Sequence, residues 1–577
     1  MPTGASAGRQ PVAATRRRSG RESWLPLAYL AVALLVIAFV LPSALRPPAQ
    51  QSNQSAELSP NSPHQGQSII AAFSQAQSGT AGAGPNQAGG TGGAAGSGAA
   101  TPTAVVRPVA AYCPFGYGDP PRQTSSLYAA PCAPVWQGNN GGATWHGVSA
   151  DVFRVAIVEC DGDYHTTYTG PTPNQPQPGE SSADTTWRVY QQYFNSHFQF
   201  YGRQLQFVQT NPQPCNSTDF VQAVDSANAQ WPLFAVSSPF GAATDEAQRL
   251  GLLATGLVGN GEQWFAAHQP AFEFDMSGTE LTQLTSEMMC KQLEGHPAAF
   301  TVPPIKGRSR VYGAFLLADS DTTASGAYSP ADIQNPLARQ CGAKWSEVVT
   351  YDPYVNANLA QYLATAMTKM RAAGVTTLAC FCDPFTAIEI INSASQQSYF
   401  PEWIMPGTAS MDLNQLAEYY DPSQWGHALG ISALEIPRPM NEQDCYKAFK
   451  EMDPGGTPQT GYLSICTIQF PRLLQLADGV QLAGPHLTPA NVIKGLFKMP
   501  ARRPDPQWSI GGYYGPGHWA FSDYISLVWY DPTATDPVTG NAGAYRYMLN
   551  GQRFQVGQIP TSPLPWFQSG ITTVAGS

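Results

Sequence analysis

From residue 153 onward the chain alternates short apolar runs with longer segments whose apolar residues recur at helical spacing. Residues 153–158 form a β-branched run of the kind that fills a buried strand. In 184–197, Trp187, Tyr190 and Phe194, followed by Phe198, fall close to a helical repeat. Gly202 then turns the chain into a strand over 205–208. The unit repeats as a helix over 218–229, a strand over 233–237, a helix over 244–251 and a strand over 253–258. A second series begins with a helix over 279–293 and a strand over 311–318. It continues with helix 330–341, strand 347–351, helix 358–373, strand 375–381, helix 385–396 and strand 403–405. Repeated strand–helix–strand units predict parallel sheets covered by helices on both faces. Two separated series predict two doubly wound, three-layer α/β lobes joined by a hinge. In such sheets ligands bind outside the carboxyl ends of the strands, here where the lobes face each other.

The first hundred residues follow another pattern. Residues 1–23 carry Arg9, Arg16, Arg17, Arg18 and Arg21 against Glu22, which predicts a basic cytoplasmic N-terminus. Residues 24–45 run without a charge, long enough to cross a bilayer as one helix. The run reads as a retained signal anchor or a cleaved signal peptide. Its length favours the anchor, whereas Pro42-Ser43-Ala44 offers small residues for cleavage. No cysteine follows it closely, so a lipoprotein attachment is not expected. Residues 46–108 are rich in Gln, Ser, Gly, Ala and Pro, with Glu57 the only charge between Arg46 and Arg107. Such a stretch is expected to be a disordered linker reaching about 40–50 Å. Residues 109–577 then form the extracellular two-lobed domain, either tethered to the cell membrane or secreted.

Composition narrows the function classes. Over 577 residues the net charge is −10, and no basic block follows the N-terminus, which argues against a nucleic-acid partner. The ten cysteines are an even number in a chain expected to leave the cytosol, so disulfides are expected. Cys113 with Cys132, Cys160 with Cys215, Cys290 with Cys341, and Cys445 with Cys466 are plausible pairs, although spacing alone does not fix connectivity. Cys380 and Cys382 remain. A bond between them is expected to be strained, on the reasoning that side chains alternate along a strand. Cys-x-Cys without a second spaced pair is a poor zinc signature, and no metal site or cofactor is assigned. His518, in GPGHWAFSD, reads as a structural residue in a turn before a closing strand. No G-x-S-x-G, H-E-x-x-H or P-loop occurs, so no catalytic residue is assigned and the chain is not expected to be an enzyme.

Several segments resemble the type I periplasmic-binding-protein family, in particular its branched-chain amino-acid receptor-like, secreted actinobacterial members. GVSADVFRVAIV is similar to the opening strand. YFNSHFQFYGRQLQFV is similar to the first helix, turn and second strand. MRAAGVTTLACFCDPFTAIEIINSASQQSYFPEWIMPG is similar to a later helix–strand–helix. HLTPANVIKGLF and GYYGPGHWAFSDYISLVWYD are similar to the C-terminal helix and closing strands. The resemblance spans roughly 138–567. It implies a monomeric extracytoplasmic binding protein for a small, amino-acid-like ligand, serving an ABC-type permease. The missing lipoprotein cysteine and the long, proline-bearing 168–182 loop depart from the family pattern.

Strand ends supply the candidate ligand contacts. Ser237 and Ser238 end a predicted strand just before a helix, where hydroxyls and free N–H groups suit a carboxylate. The resemblance implies that role for them. Asp383, after strand 375–381, suits a ligand amine, with Phe385 as an apolar wall. Its alternative is an ordinary Asp-Pro cap. Tyr328 resembles an aromatic that covers ligand in the family, and Glu159 and Asp161 follow the first strand. Two other classes are weighed against a binding module: a surface sensor or structural protein keeping the fold without a transporter, and a cell-surface hydrolase. The hydrolase would need a carboxylate pair or Ser/His/Asp set, and none can be assembled from the sequence.

Overall fold

The computed structural model describes residues 121–158, 169–210, 217–238, 241–256, 259–318, 328–353, 358–460 and 465–574. These residues fall within the compact unit Pro60–Ser577. The expected membrane segment over 24–45 and the linker over 46–108 lie outside them. Among the described residues no helix is long and apolar enough to cross a membrane.

The first lobe opens with β1 (Val152–Val158). It continues through β2 (Gly170–Pro171), α1 (Ser182–His197), β3 (Gln204–Thr210), α2 (Ser217–Gln230), β4 (Ala235–Ser237), α3 (Gly241–Arg249), β5 (Leu253–Thr255) and α4 (Glu262–Ala267). The sheet order is β2-β3-β1-β4-β5, parallel apart from the two-residue β2. β1 is central and its last four residues are all buried, which is why it reads as a continuous apolar run. Helix α1 starts in a capping box, Ser181 accepting from the Asp184 amide while Asp184 accepts from that of Ser181. Trp187, Tyr190, Phe194 and Phe198 are all fully buried, as their spacing predicts. At the predicted turn, Tyr201 and Gly202 both take positive φ, 56° and 85°. Glycine suits this left-handed geometry, having no Cβ to clash.

The second lobe contains α5 (Gly278–Met288), β6 (Tyr312–Leu317), α6 (Pro330–Cys341), β7 (Trp345–Tyr351), α7 (Leu359–Ala372), β8 (Thr377–Phe381), α8 (Pro384–Gln396), β9 (Glu402–Met405), two single turns α9 (Asn414–Ala417) and α10 (Pro422–Trp425), and β10 (Ala428–Ser432). The chain then returns to the first lobe. Helices α11 (Asp444–Met452), α12 (Phe470–Ala483) and α13 (Pro489–Leu496) join α1 in one core. Phe470 stacks on Phe194 at 5.5 Å, and the Tyr190 hydroxyl donates to the Cys445 carbonyl at 3.0 Å. A last passage leads to β11 (Ile525–Thr535), β12 (Ala542–Tyr547) and β13 (Arg553–Phe554), which close the second sheet in the order β12-β11-β10-β9-β8-β6-β7, with β13 paired to β11.

The lobes are therefore linked by three crossings, and these are bonded to one another. The Glu273 amide donates to the Trp519 carbonyl, and the Phe521 amide donates to that of Glu273, both at 2.9 Å. The Ile436 amide donates to the Trp508 carbonyl at 3.0 Å.

Cys290–Cys341 and Cys445–Cys466 are bonded as anticipated, the first between the end of α5 and α6, the second between α11 and the turn before α12. Cys380 and Cys382 are also bonded to each other. Alternation along the strand is compatible with this bond, because residues two apart share a face. Both sulfurs lie in one core, while Phe381 points into the other. Cys132 is disulfide-bonded, and Cys113, Cys160 and Cys215 lie outside the described residues. Replacing Cys445 and Cys466 together by alanine frees a 21-residue separation in the unfolded chain. It should lower unfolding stability by about 3 kcal/mol in a denaturant titration.

Candidate binding cavity between the lobes

Strand ends were the natural place to look, and the structure uses most of the predicted groups for support. Ser237 pairs with Ile157 and Thr255 inside the sheet. The Ser238 amide, expected free, donates to the Thr255 carbonyl at 3.0 Å. Both serines are buried. Asp383 is the N-cap of α8: its Oδ1 accepts from the amides of Phe385 (3.1 Å) and Thr386 (2.8 Å), and its Oδ2 accepts from the Tyr351 hydroxyl (2.9 Å). That is the cap alternative, and it engages both carboxylate oxygens within the fold. Phe385 is half-buried in the first turn of α8. Tyr328 packs edge-on against Phe381, 5.5 Å between ring centres, and burial raises its phenol. Its hydroxyl is buried without a hydrogen-bond partner. Glu159 and Asp161 lie outside the described residues.

A cavity of about 130 Å³ opens beside the crossings instead, lined by none of these residues. Arg472 and Phe470 of α12 line it together with Ser410 and Asp412 of the turn after β9. Asp275 of the first crossing and Arg438 of the second complete it. Gly407, Ala409 and Ser410 all have positive φ (74°, 47° and 62°) in the turn that presents Asp412. Two non-glycine residues held there mark a backbone kept in place by its surroundings.

The electrostatics divide among the same residues. Arg472, 2% exposed, donates to Asp275 at 2.6 Å and lies 3.4 Å from Glu273. Burial nevertheless raises Glu273 to about 7: the Arg472 charge opposes this and Asp275 adds to it. Asp412 is also 2% exposed, and among the described residues no cation is ion-paired with it. Burial raises it to about 7, against the pull of the nearby Ser432 hydroxyl and with the help of Asp275. Arg438 stacks over Trp508 at 3.5 Å and reaches Glu435 at 3.3 Å. The lining thus combines two guanidinium groups, each paired with an acid, and a buried carboxyl, Asp412, that has no ion pair among the described residues.

The sequence matches no protein-family model and no curated protein. Solved structures do resemble this chain. They are periplasmic and ABC-transporter solute-binding proteins. A type 1 periplasmic binding protein from Bordetella pertussis Tohama I is 14% identical, with 69% of this chain and all of that one covered at a TM-score of 0.49. A solute-binding protein of an ABC transporter from Rhodopseudomonas palustris BisB5, solved with 3,4-dihydroxybenzoic acid, is 11% identical over 70% of this chain and 98% of that one, TM-score 0.47. A leucine-, isoleucine-, valine-, threonine- and alanine-binding protein from Brucella ovis is 12% identical over 70% and 95%, TM-score 0.46.

Sequence reasoning missed Asp275, Asp412 and Arg472, which no motif links. The strand-end rule that selected Asp383 after β8 could have selected Asp412 after β9. The Gly407-Thr-Ala-Ser-Met-Asp412 turn was the available signal.

Asp412 generates a testable pH dependence. Its folded pKa, about 7, lies above its ordinary 3.8, so folding is opposed progressively as pH rises from about 4 to about 7, and fully above that. Asp412→Asn should therefore raise unfolding stability by a few kcal/mol at pH 8 and leave it nearly unchanged at pH 4. Denaturant midpoints at the two pH values check the sign.

Proposed function

We propose that this chain is an extracytoplasmic solute-binding protein, tethered by its N-terminal apolar segment, whose lobes close on a small polar, amino-acid-like ligand for an ABC-type uptake system. The observation that carries the reading is the chamber itself: both lobes and the crossings contribute its lining, which holds the buried carboxyl of Asp412 and the guanidinium groups of Arg472 and Arg438. A ligand bearing an ammonium and a carboxylate matches that division, the ammonium at Asp412 and the carboxylate toward Arg472 and Arg438. The volume, about 130 Å³, is well below the roughly 300–1,000 Å³ of sites for drug-sized molecules, which favours a ligand of few atoms.

Closure follows from where the contacts sit. A solute touching α12 and the turn after β9 bridges the lobes, so it binds the closed arrangement more tightly and shifts the population toward it. The crossings supply the hinge, and the permease would read the closed shape. An ammonium beside Asp412 would lower the carboxyl and expel its proton, coupling uptake to proton release near neutral pH. The outward placement of the lobes is supported by the arginine-flanked apolar run over 24–45 and by the disulfides.

A thermal-shift screen of amino acids, amides and short peptides against the full-length protein tests this directly. At least one should raise the melting temperature saturably, and Asp412→Asn should weaken that ligand at least tenfold although it stabilises the free protein. Failure of every small solute to stabilise the protein sinks the reading.

A further inference from the structure

Away from the chamber, three side chains from three parts of the fold converge. Glu262 opens α4 in the first lobe, Glu280 lies in the first turn of α5 in the second, and His518 sits on the third crossing. One ligating atom from each lies within 4.8 Å of the others. The ring Nε2 of His518 is 3.6 Å from Glu280 Oε1 and 2.8 Å from Asp523 Oδ1.

The histidine is fixed for this position. Its Nδ1–H donates to the Tyr513 carbonyl at 3.0 Å, and the ring stacks on Tyr513 with centres 4.3 Å apart. A backbone partner on one ring nitrogen sets the tautomer that leaves the other free to ligate, as the outer partners of metal-bound histidines do. Two atoms at the centre of the group are buried without a hydrogen-bond partner, His518 Nε2 and Glu262 Oε1. Nε2 is ion-paired with Asp523 and Glu280, so a cation binding there takes the place of the ring's second proton. The other Glu262 oxygen is held by the Trp519 amide at 3.1 Å, which fixes the carboxylate without using Oε1. The group thus sets an imidazole nitrogen among three carboxylates, one of which, Glu262, keeps a buried oxygen without a hydrogen-bond partner.

We propose that Glu262, Glu280 and His518 form a site for a divalent transition-metal cation, with zinc the best match, that fastens both lobes to the third crossing. One nitrogen and carboxylate oxygens suit zinc or manganese better than calcium, which favours all-oxygen shells. Zinc bonds of about 2.0–2.1 Å place tetrahedral donors about 3.4 Å apart, so the His518–Glu280 spacing of 3.6 Å already fits and Glu262 lies within 4.8 Å of both. Asp523 stands close enough to serve as a fourth ligand or to orient the ring.

The test uses tag-free, full-length protein stripped with a chelator and titrated with zinc by calorimetry, with cobalt absorption as a second readout. One zinc per chain is expected. His518→Gln and Glu262→Gln should each weaken binding at least tenfold. Glu262→Gln keeps an oxygen for the Trp519 amide, so its metal-free melting temperature should match the parent protein even where His518→Gln folds poorly. No saturable uptake at one equivalent, or unchanged affinity in Glu262→Gln, overturns the site.

Discussion

Where Glu273 gives its amide to Trp519 and takes that of Phe521, the first and third crossings are fastened side by side at the boundary between two lobes. That backbone pairing constrains most of what surrounds it. It holds Asp275 next to Arg472, brings α12 into the chamber wall, and sets His518 between α4 and α5. The second crossing joins through Ile436 and Trp508, over which Arg438 stacks. Three mutually bonded segments have few independent ways to bend, so they would confine the proposed closure of the lobes to one shared axis.

The chamber concentrates charge at that axis. Glu273 and Asp412 are both pushed up to about 7, by burial in each case, yet only Glu273 has a cation beside it. An unpaired buried carboxylate destabilises the fold unless it is protonated. Such a local inconsistency is what the proposed ligand site would account for.

The alternation of strands and helices was legible because it follows from periodic burial. Trp187, Tyr190 and Phe194 could be placed on one helix face from spacing alone, and each predicted strand from 153–158 to 403–405 has its counterpart. Destinations were not legible in the same way. Nothing in the spacing of Cys445, Phe470 or Val492 says that their helices cover the first lobe rather than the second, since an apolar face fits either core. The chamber was hidden for the same reason. Asp275, Asp412 and Arg472 are brought together by the crossings, and Glu262, Glu280 and His518 likewise, whereas motif rules recognise ligands close in sequence.

The return of α11, α12 and α13 to the first lobe has a consequence for how the protein is made. The first sheet is synthesised early, but the helices that cover one of its faces come from residues 444–496, after most of the second lobe. During synthesis, Trp187, Phe194 and their neighbours lack the helices that cover them until that late segment arrives. The first lobe in sequence is thus completed only after the second is well advanced, and its contacts of long sequence separation should set the slow step of folding.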